Sequence, residues 1–365
     1  MSGKLKVLVV DDSRVYRALV ANCLDLDKYE LSGSVFNGLK AIEALTITRP
    51  NVVTLDLDMP VMDGISTLKA IMKFNQSTPN LPPIEVIMLS SFTKKNAAVT
   101  IEALELGAFD FIEKPSSSNE SANETMLKTQ LSQKLRLLDS KRHNKNINST
   151  IICSDVVNDK SSVDDVEDIS PCVSKRTVRA IVIGVSTGGP KALNDMLPRL
   201  CETTNKPIFI VQHMPKGFTA SLAEQLDKKC SHSVIEATDG MGVSDNTVYI
   251  APGGKHMLIK QTGAVVQILL NSDQPEAGCR PSANVLFRSA ATVYAANSIG
   301  IILTGMGDDG TAGLSELKKS GAYVVAQNEE SSVVWGMAGS AVASGNVDVV
   351  RSLTLIPDAV KAVLN

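Results

Sequence analysis

Ala180-Ile181-Val182-Ile183-Gly184-Val185-Ser186-Thr187-Gly188-Gly189-Pro190-Lys191 is an apolar run of strand length that stops at a glycine, turns at a serine between further glycines, and opens a helical pattern at Pro190. This predicts a strand-turn-helix unit with a hydroxyl at its mouth. Gly184, Ser186 and Gly188 match the G-x-S-x-G elbow, which presents a serine as a nucleophile. Glycine amides on such a turn also suit a phosphate. The phosphate loop fails at one position: Pro190 stands where its pattern needs lysine, and Lys191 comes one place late. The nucleophile reading is left ahead.

Working outward, the alternation of strand and helix runs from Val178 to the end of the chain. Ile208–Val211 reads as a strand ending in Gln212-His213-Met214-Pro215, with a helix over Phe218–Leu226. Val248-Tyr249-Ile250 runs into Ala251-Pro252-Gly253-Gly254, and Met257–Lys260 with Val265–Leu270 flank a hairpin turn. A helix is predicted over Ala283–Ala296 and a strand over Ile299–Thr304. Gly305-Met306-Gly307-Asp308-Asp309-Gly310 then forms a corner before the helix Thr311–Ser320, and Tyr323–Ala326 adds a strand. Ser186, His213 and Asp309 each fall just past the carboxyl end of a predicted strand, the usual ligand crevice of an open α/β sheet. A serine needs a base to take its proton, and an imidazole base needs a carboxylate to fix its tautomer. The order Ser, His, Asp is not that of α/β-hydrolases, so that fold does not follow.

Gly184-Val185-Ser186-Thr187-Gly188-Gly189, Gln212-His213-Met214-Pro215, Ile250-Ala251-Pro252-Gly253, Arg280-Pro281-Ser282 and Leu303-Thr304-Gly305-Met306-Gly307-Asp308-Asp309-Gly310 resemble the catalytic domain of chemotaxis protein-glutamate methylesterases of the CheB type. The resemblance implies Ser186 as nucleophile, His213 as general base and Asp309 as its orienting carboxylate. It also implies hydrolysis of glutamate γ-methyl esters on methyl-accepting chemoreceptors, release of methanol, and deamidation of receptor glutamines, with no cofactor for the esterase chemistry. The main-chain N–H groups near Thr187 and Met306 are the expected oxyanion hole, since glycine corners permit close backbone approach. Three departures from that family's pattern stand out, the first being the long, acidic linker from His143. Ala338 follows Gly336-Met337 where proline is frequent, and Cys279 precedes Arg280-Pro281 where histidine is common.

The amino-terminal half is a second α/β pattern. Val7–Val10, Val52–Leu55, Ile84–Leu89 and Phe109–Ile112 read as strands buried on both faces, separated by helices over Val15–Leu26, Leu39–Thr46, Ile65–Phe74 and Ala97–Leu106. Asp11, Asp12, Asp56, Ser90 and Lys114 gather at the carboxyl ends of those strands, a grouping that suits a hard divalent cation and phosphoryl chemistry. Val10-Asp11-Asp12-Ser13, Leu55-Asp56-Leu57-Asp58-Met59-Pro60, Leu89-Ser90-Ser91 and Glu113-Lys114-Pro115 resemble the receiver domain of response regulators. That resemblance implies phosphorylation of Asp56 by a chemotaxis histidine kinase. It implies Mg²⁺ held by Asp11, Asp12, Asp56 and the main-chain carbonyl of Asp58, with Ser90 and Lys114 sensing the phosphoryl group. It also implies that the receiver covers the Ser186 edge until Asp56 is phosphorylated.

The expected organisation is α/β throughout: a flavodoxin-like receiver over 1–142, a flexible linker over 143–177, and a doubly wound parallel α/β methylesterase domain over 178–365. The linker expectation rests on lost periodicity and on the acidic run Val163-Asp164-Asp165-Val166-Glu167-Asp168. With 36 basic against 39 acidic side chains in 365 residues, nothing advertises nucleic acid. A receiver-linked transcription regulator would end in a basic helix-turn-helix, which the glycine-cornered second half is not. A non-catalytic adaptor that docks on receptors remains open at this level. The six cysteines form no C-x-x-C pair, which argues against a zinc site or a disulfide framework. Lacking a signal peptide or a bilayer-spanning run, the protein is expected to be cytoplasmic, with no membrane insertion.

Overall fold

The computed structural model describes residues 3–91, 93–115, 119–150 and 175–364. The first half runs β1 (Leu5–Val10), α1 (Arg14–Cys23), β2 (Tyr29–Val35), α2 (Gly38–Thr48), β3 (Val52–Asp56), α3 (Gly64–Ser77), β4 (Glu85–Ser90), α4 (Lys94–Glu105), β5 (Asp110–Glu113) and α5 (Glu120–Thr150). Its strands pair in parallel in the order β2-β1-β3-β4-β5, the doubly wound flavodoxin-like arrangement. Val52–Asp56 is buried at every position, as a central strand with helices on both faces must be. Ser13, Asn37, Asp63 and Thr93 cap the helices α1 to α4 by accepting main-chain hydrogens from Tyr16, Lys40, Ser66 and Asn96. Each helix therefore starts close to a strand's carboxyl end, where the acidic residues collect.

The second half runs β6 (Ala180–Val185), α6 (Gly189–Thr203), β7 (Ile208–Gln212), α7 (Phe218–Asp227), β8 (Ser233–Glu236), β9 (Thr247–Ile250), β10 (His256–Thr262), β11 (Val265–Asn271), α8 (Ala283–Tyr294), β12 (Ser298–Ile302), α9 (Thr311–Lys319), β13 (Tyr323–Gln327), α10 (Met337–Ala343), β14 (Val349–Arg351) and α11 (Ile356–Val363). Seven strands form one parallel sheet in the order β14-β13-β12-β6-β7-β9-β8, and β10 with β11 makes a separate antiparallel hairpin. The expected doubly wound parallel sheet is thus present, with β6 at its centre between β12 and β7.

Three strands, β2, β8 and β14, have no counterpart among the sequence-based expectations. β2 buries Tyr29 and leaves most of the rest partly or fully exposed, and β14 is three residues long with no buried position. All three lie at sheet edges, where one-sided burial does not demand a continuous apolar run. α5 continues helical to Thr150, eight residues into the stretch expected as linker, because no glycine or proline between Glu120 and Thr150 stops it. At the other end, Arg176 donates its main-chain N–H to Val363 O at 2.8 Å and bridges Leu364, inside the expected linker boundary. The acidic run over 163–168 and the remainder of that linker lie outside the described residues, as do Cys153 and Cys172. Among the described residues, no helix is long and apolar enough to cross a membrane.

The two halves pack on one another through apolar side chains. Ala97, Ile101 and Leu104 of α4 share a buried cluster with Phe218, Leu222 and Leu226 of α7. Phe111 of β5 lies against Phe218 with ring centroids 4.6 Å apart, a pair worth about 0.5–1.5 kcal/mol beyond its buried area. Gln225 Nε2 donates to Ala98 O at 3.0 Å, and Lys229 pairs with Glu105 at 3.0 Å. The first half therefore presents its α4 and β5 face to the carboxyl edge of the second sheet.

Candidate active site

Ser186 and His213 are the first residues beyond neighbouring strands β6 and β7, where Val185 faces Gln212 in register. The His213 N–H continues that pairing by donating to Val185 O at 3.2 Å, and the Ser186 N–H donates to Thr304 O at 3.0 Å. Asp309 arrives from the corner after β12, which pairs with β6 on its other side. Gly305 is required there, because a Cβ would stand 2.8 Å from Ser186 Cβ. Gly188, at φ 79°, makes the turn into α6, and Pro190 opens that helix without needing an N–H. The Gln212 side chain, itself buried, donates to Ser186 O at 3.0 Å and steadies the serine turn.

His213 Nε2 lies 2.7 Å from Asp309 Oδ2. Asp309 is 2% exposed, whereas its neighbour Asp308 is exposed. The amino-terminal turn of α8 surrounds the carboxylate: Ser282 Oγ donates to Oδ1 at 2.6 Å, Ala283 N–H to Oδ2 at 2.7 Å and Asn284 N–H to Oδ1 at 3.1 Å. Burial would raise the Asp309 pKa, but His213 and these donors outweigh it and hold the group below the ordinary value. Burial would likewise lower the His213 pKa; the hydrogen bonds to Asp309 and Cys279 prevail, and it stands raised at about 9. Cys279 Sγ is 3.5 Å from Nδ1. Both ring nitrogens are thus engaged, and among the described residues Ser186 Oγ makes no hydrogen bond to either.

Ser186, Thr187, Gln212 and His213 line a cleft of about 200 Å³ whose opposite wall is Leu104, Asp110, Phe111 and Glu113 of the receiver. Thr187 Oγ1 donates to Asp110 Oδ2 at 2.9 Å, and Lys134 of α5 pairs with the same carboxylate at 2.5 Å. Met306 is 39% exposed on the glycine corner. The N–H groups of Ser186 and Gly305 are committed to Thr304 O and Val334 O.

In the receiver, Asp11, Asp12 and Asp56 offer carboxylate oxygens within 4.8 Å of one another, the oxygen donor set of a hard cation. Lys114 Nζ stands 2.7 Å from both Asp11 Oδ2 and Asp56 Oδ1. Burial pushes the Asp56 carboxyl up to about 6, against the downward pull of Lys114. Burial would lower Lys114, but the two carboxylates raise it. Ser90, fully buried, accepts from Thr100 Oγ1 at 2.8 Å, and its carbonyl accepts the Lys114 N–H at 2.7 Å. The Asp58 carboxylate accepts from Asn96 Nδ2 at 2.9 Å.

Sequence reasoning brought Ser186, His213, Asp309 and the receiver acids to the right edges and missed their supports. Asp110 carried no local signal of contact with the cleft, and Cys279 and Ser282 were marked only by the stretch around Arg280-Pro281, without their partners. His256 is a further support: its Nδ1 accepts the Ser282 N–H at 3.2 Å while Nε2 donates to Gln274 O at 3.1 Å.

Residues 181–360 match the CheB methylesterase family, and residues 7–125 match the response regulator receiver domain. The protein-glutamate methylesterase/protein-glutamine glutaminase of Desulfotalea psychrophila is 39% identical over 360 residues, covering 96% of each chain. The protein of the same name from Halalkalibacterium halodurans is 40% identical over 361 residues, covering 99% of this chain and 98% of its own. The crystal structure of the Thermotoga maritima CheB methylesterase catalytic domain is 40% identical over 50% of this chain and 97% of that one, with a TM-score of 0.49. With a receiver ahead of its catalytic sheet and such relatives along nearly its whole length, the chain belongs to the CheB family of methylesterases.

Proposed function

We propose that the chain is a phosphorylation-controlled hydrolase that removes methyl groups from glutamate γ-esters on chemoreceptors and deamidates receptor glutamines. The observation that carries this reading is the pairing of His213 with the buried Asp309 at 2.7 Å, beside Ser186 on the next strand end. A receptor-binding adaptor has no use for an imidazole held this way.

Ser186 Oγ attacks the ester carbonyl carbon while its proton passes to His213. With Nε2 held by Asp309, the nitrogen available for that proton is Nδ1, so Cys279 must yield it to the serine. The tetrahedral oxyanion takes the main-chain N–H groups of Thr187 and Met306, since those of Ser186 and Gly305 are already committed. Collapse breaks the bond to the methoxy oxygen, which receives the proton from His213 and leaves as methanol. Water, deprotonated by the same imidazole, attacks the acyl-enzyme and releases glutamate and Ser186.

Control comes from the receiver wall across the cleft. Phosphorylation of Asp56 by a histidine kinase adds a charge of about −1.5 to −2. Lys114, now bridging Asp56 and Asp11, and Ser90 re-pair with it. Asp11, Asp12 and Asp56 with the Asp58 carbonyl would hold Mg²⁺, which neutralises charge on the phosphoryl group when bound. The change at β4 and β5 loosens the α4–α7 contact and opens the cleft. A cytoplasmic location and a domain division with a tether between α5 and Arg176 fit this arrangement. Methanol release from methylated receptor membranes, with and without a small phosphodonor, tests it: release is expected and rises with the donor. No release from the wild type would overturn the enzyme reading.

A further inference from the structure

The Cys279 thiol and the His213 ring come from segments 66 residues apart in sequence, and their Sγ and Nδ1 are 3.5 Å apart. Tetrahedral zinc, with a Zn–S bond of about 2.3 Å and a Zn–N bond of about 2.0–2.1 Å, holds its sulfur and nitrogen ligands about 3.5 Å from each other. Asp309, on the opposite nitrogen at 2.7 Å, completes a carboxylate–histidine–metal line of the kind that fixes the tautomer and raises ligand basicity. The ligand atoms of His213, Cys279 and Asp309 all fall within 4.8 Å. The three donors at Asp309 from α8 hold that line rigid before any ion arrives. Cys279 is only partly buried, and His213 lines the cleft, so an ion and its remaining water ligands have a way in.

We propose that Cys279 and His213, oriented by Asp309, form a binding site for a thiophilic divalent cation such as Zn²⁺, and that occupancy shuts the esterase off. Binding releases two protons to solvent: the thiol proton, replaced by a metal–sulfur bond, and the Nδ1 proton of the charged ring, whose departure frees the lone pair that forms the metal–nitrogen bond. No electron changes hands. The inhibition follows because Nδ1 is the nitrogen left for the Ser186 proton. That half rests on the reading of His213 as general base, whereas the binding half does not.

The full-length chain, stripped with a chelator and dialysed, is titrated with Co²⁺ and followed by its near-ultraviolet sulfur-to-cobalt charge-transfer band. The band is expected in wild type and in Ser186→Ala, and is lost in Cys279→Ser and Cys279→Ala, with folding checked by circular dichroism. Cys230→Ser controls for the other partly exposed thiol among the described residues. Asp309→Asn is expected to weaken the metal about 10–100-fold. Zn²⁺ at about ten times its dissociation constant should cut wild-type methanol release to about one-tenth, restored by chelator. Each cysteine variant should keep its own rate in zinc. Absence of the band from wild type, or its persistence in both Cys279 variants, overturns the site. A normal band with no loss of methanol release keeps the site and overturns the shut-off, counting against His213 as the base.

Discussion

Thr187, the residue after the proposed nucleophile, donates its side-chain hydrogen to the Asp110 carboxylate at the start of β5, 2.9 Å away in the receiver. One contact thereby ties the serine turn to the strand that leads directly to Lys114. Because Lys134 shares the carboxylate, the latch is charged on the receiver side and cheap to break on the catalytic side.

A hydrogen bond to a charged group is worth about 1.5–3 kcal/mol, so Asp110→Ala should raise methanol release without phosphodonor by about tenfold or more. The phosphodonor-stimulated rate should change little. An unaltered basal rate would show that the bond does not help hold the cleft shut.

Ser186→Ala should lower kcat by about four to six orders of magnitude while leaving receptor binding intact. Asp309→Asn keeps the shape but loses the charge that orients His213, and should cost about 10⁴-fold in kcat. Measured together by methanol release and receptor pull-down, the two variants separate chemistry from docking. A Ser186→Ala enzyme with wild-type turnover would remove the serine from the mechanism.

The raised pKa of His213, about 9, means that the ring is mostly protonated at neutral pH in the covered state and cannot accept a proton. Esterase activity of the unphosphorylated enzyme should therefore climb with pH through about 9. The stability that His213⁺ gains from its partners is complete below its unfolded value of 6.5 and fades as pH rises towards 9. Cys279 is one of the groups raising this pKa, so Cys279→Ala should move the inflection of the rate profile downward. An inflection unmoved by that change would mean that the thiol does not hold Nδ1.

Asp56→Asn should abolish stimulation by a phosphodonor while preserving basal release. Chelation of Mg²⁺ should do the same to wild type, because Asp11, Asp12 and Asp56 present oxygen donors that suit it. Full stimulation after chelation would point to phosphoryl transfer without a cation. Phosphorylation is followed directly by phosphate-affinity gel shift.

Much of the fold was legible because buried parallel strands write themselves as apolar runs. β3, β6, β7, β12 and β13 are buried at every position and were all anticipated. β2 and β14 were not, since an edge strand buries too little to impose a pattern. The same logic holds for the site. Ser186, His213 and Asp309 follow central strands, so their place on one edge is a local property of each strand end. Cys279 follows no strand directly, and the absence of a C-x-x-C pair argued against zinc because spacing registers only ligands close in sequence.

The serine turn over 180–191 shows where the division lies. Its residues alone dictate a strand, a hydroxyl at the strand's mouth, and a helix opened by Pro190, and they exclude a phosphate loop. Only the packed molecule decides that Asp110 holds Thr187, that Phe111 packs against Phe218, and that Cys279 faces the imidazole Nδ1. Backbone propensity and apolar periodicity act over a few residues and are written in their order. The partners of Thr187, Phe218 and His213 lie 66 to 107 residues away. They are chosen by how two sheets and their helices close against each other, which no single stretch of the chain encodes.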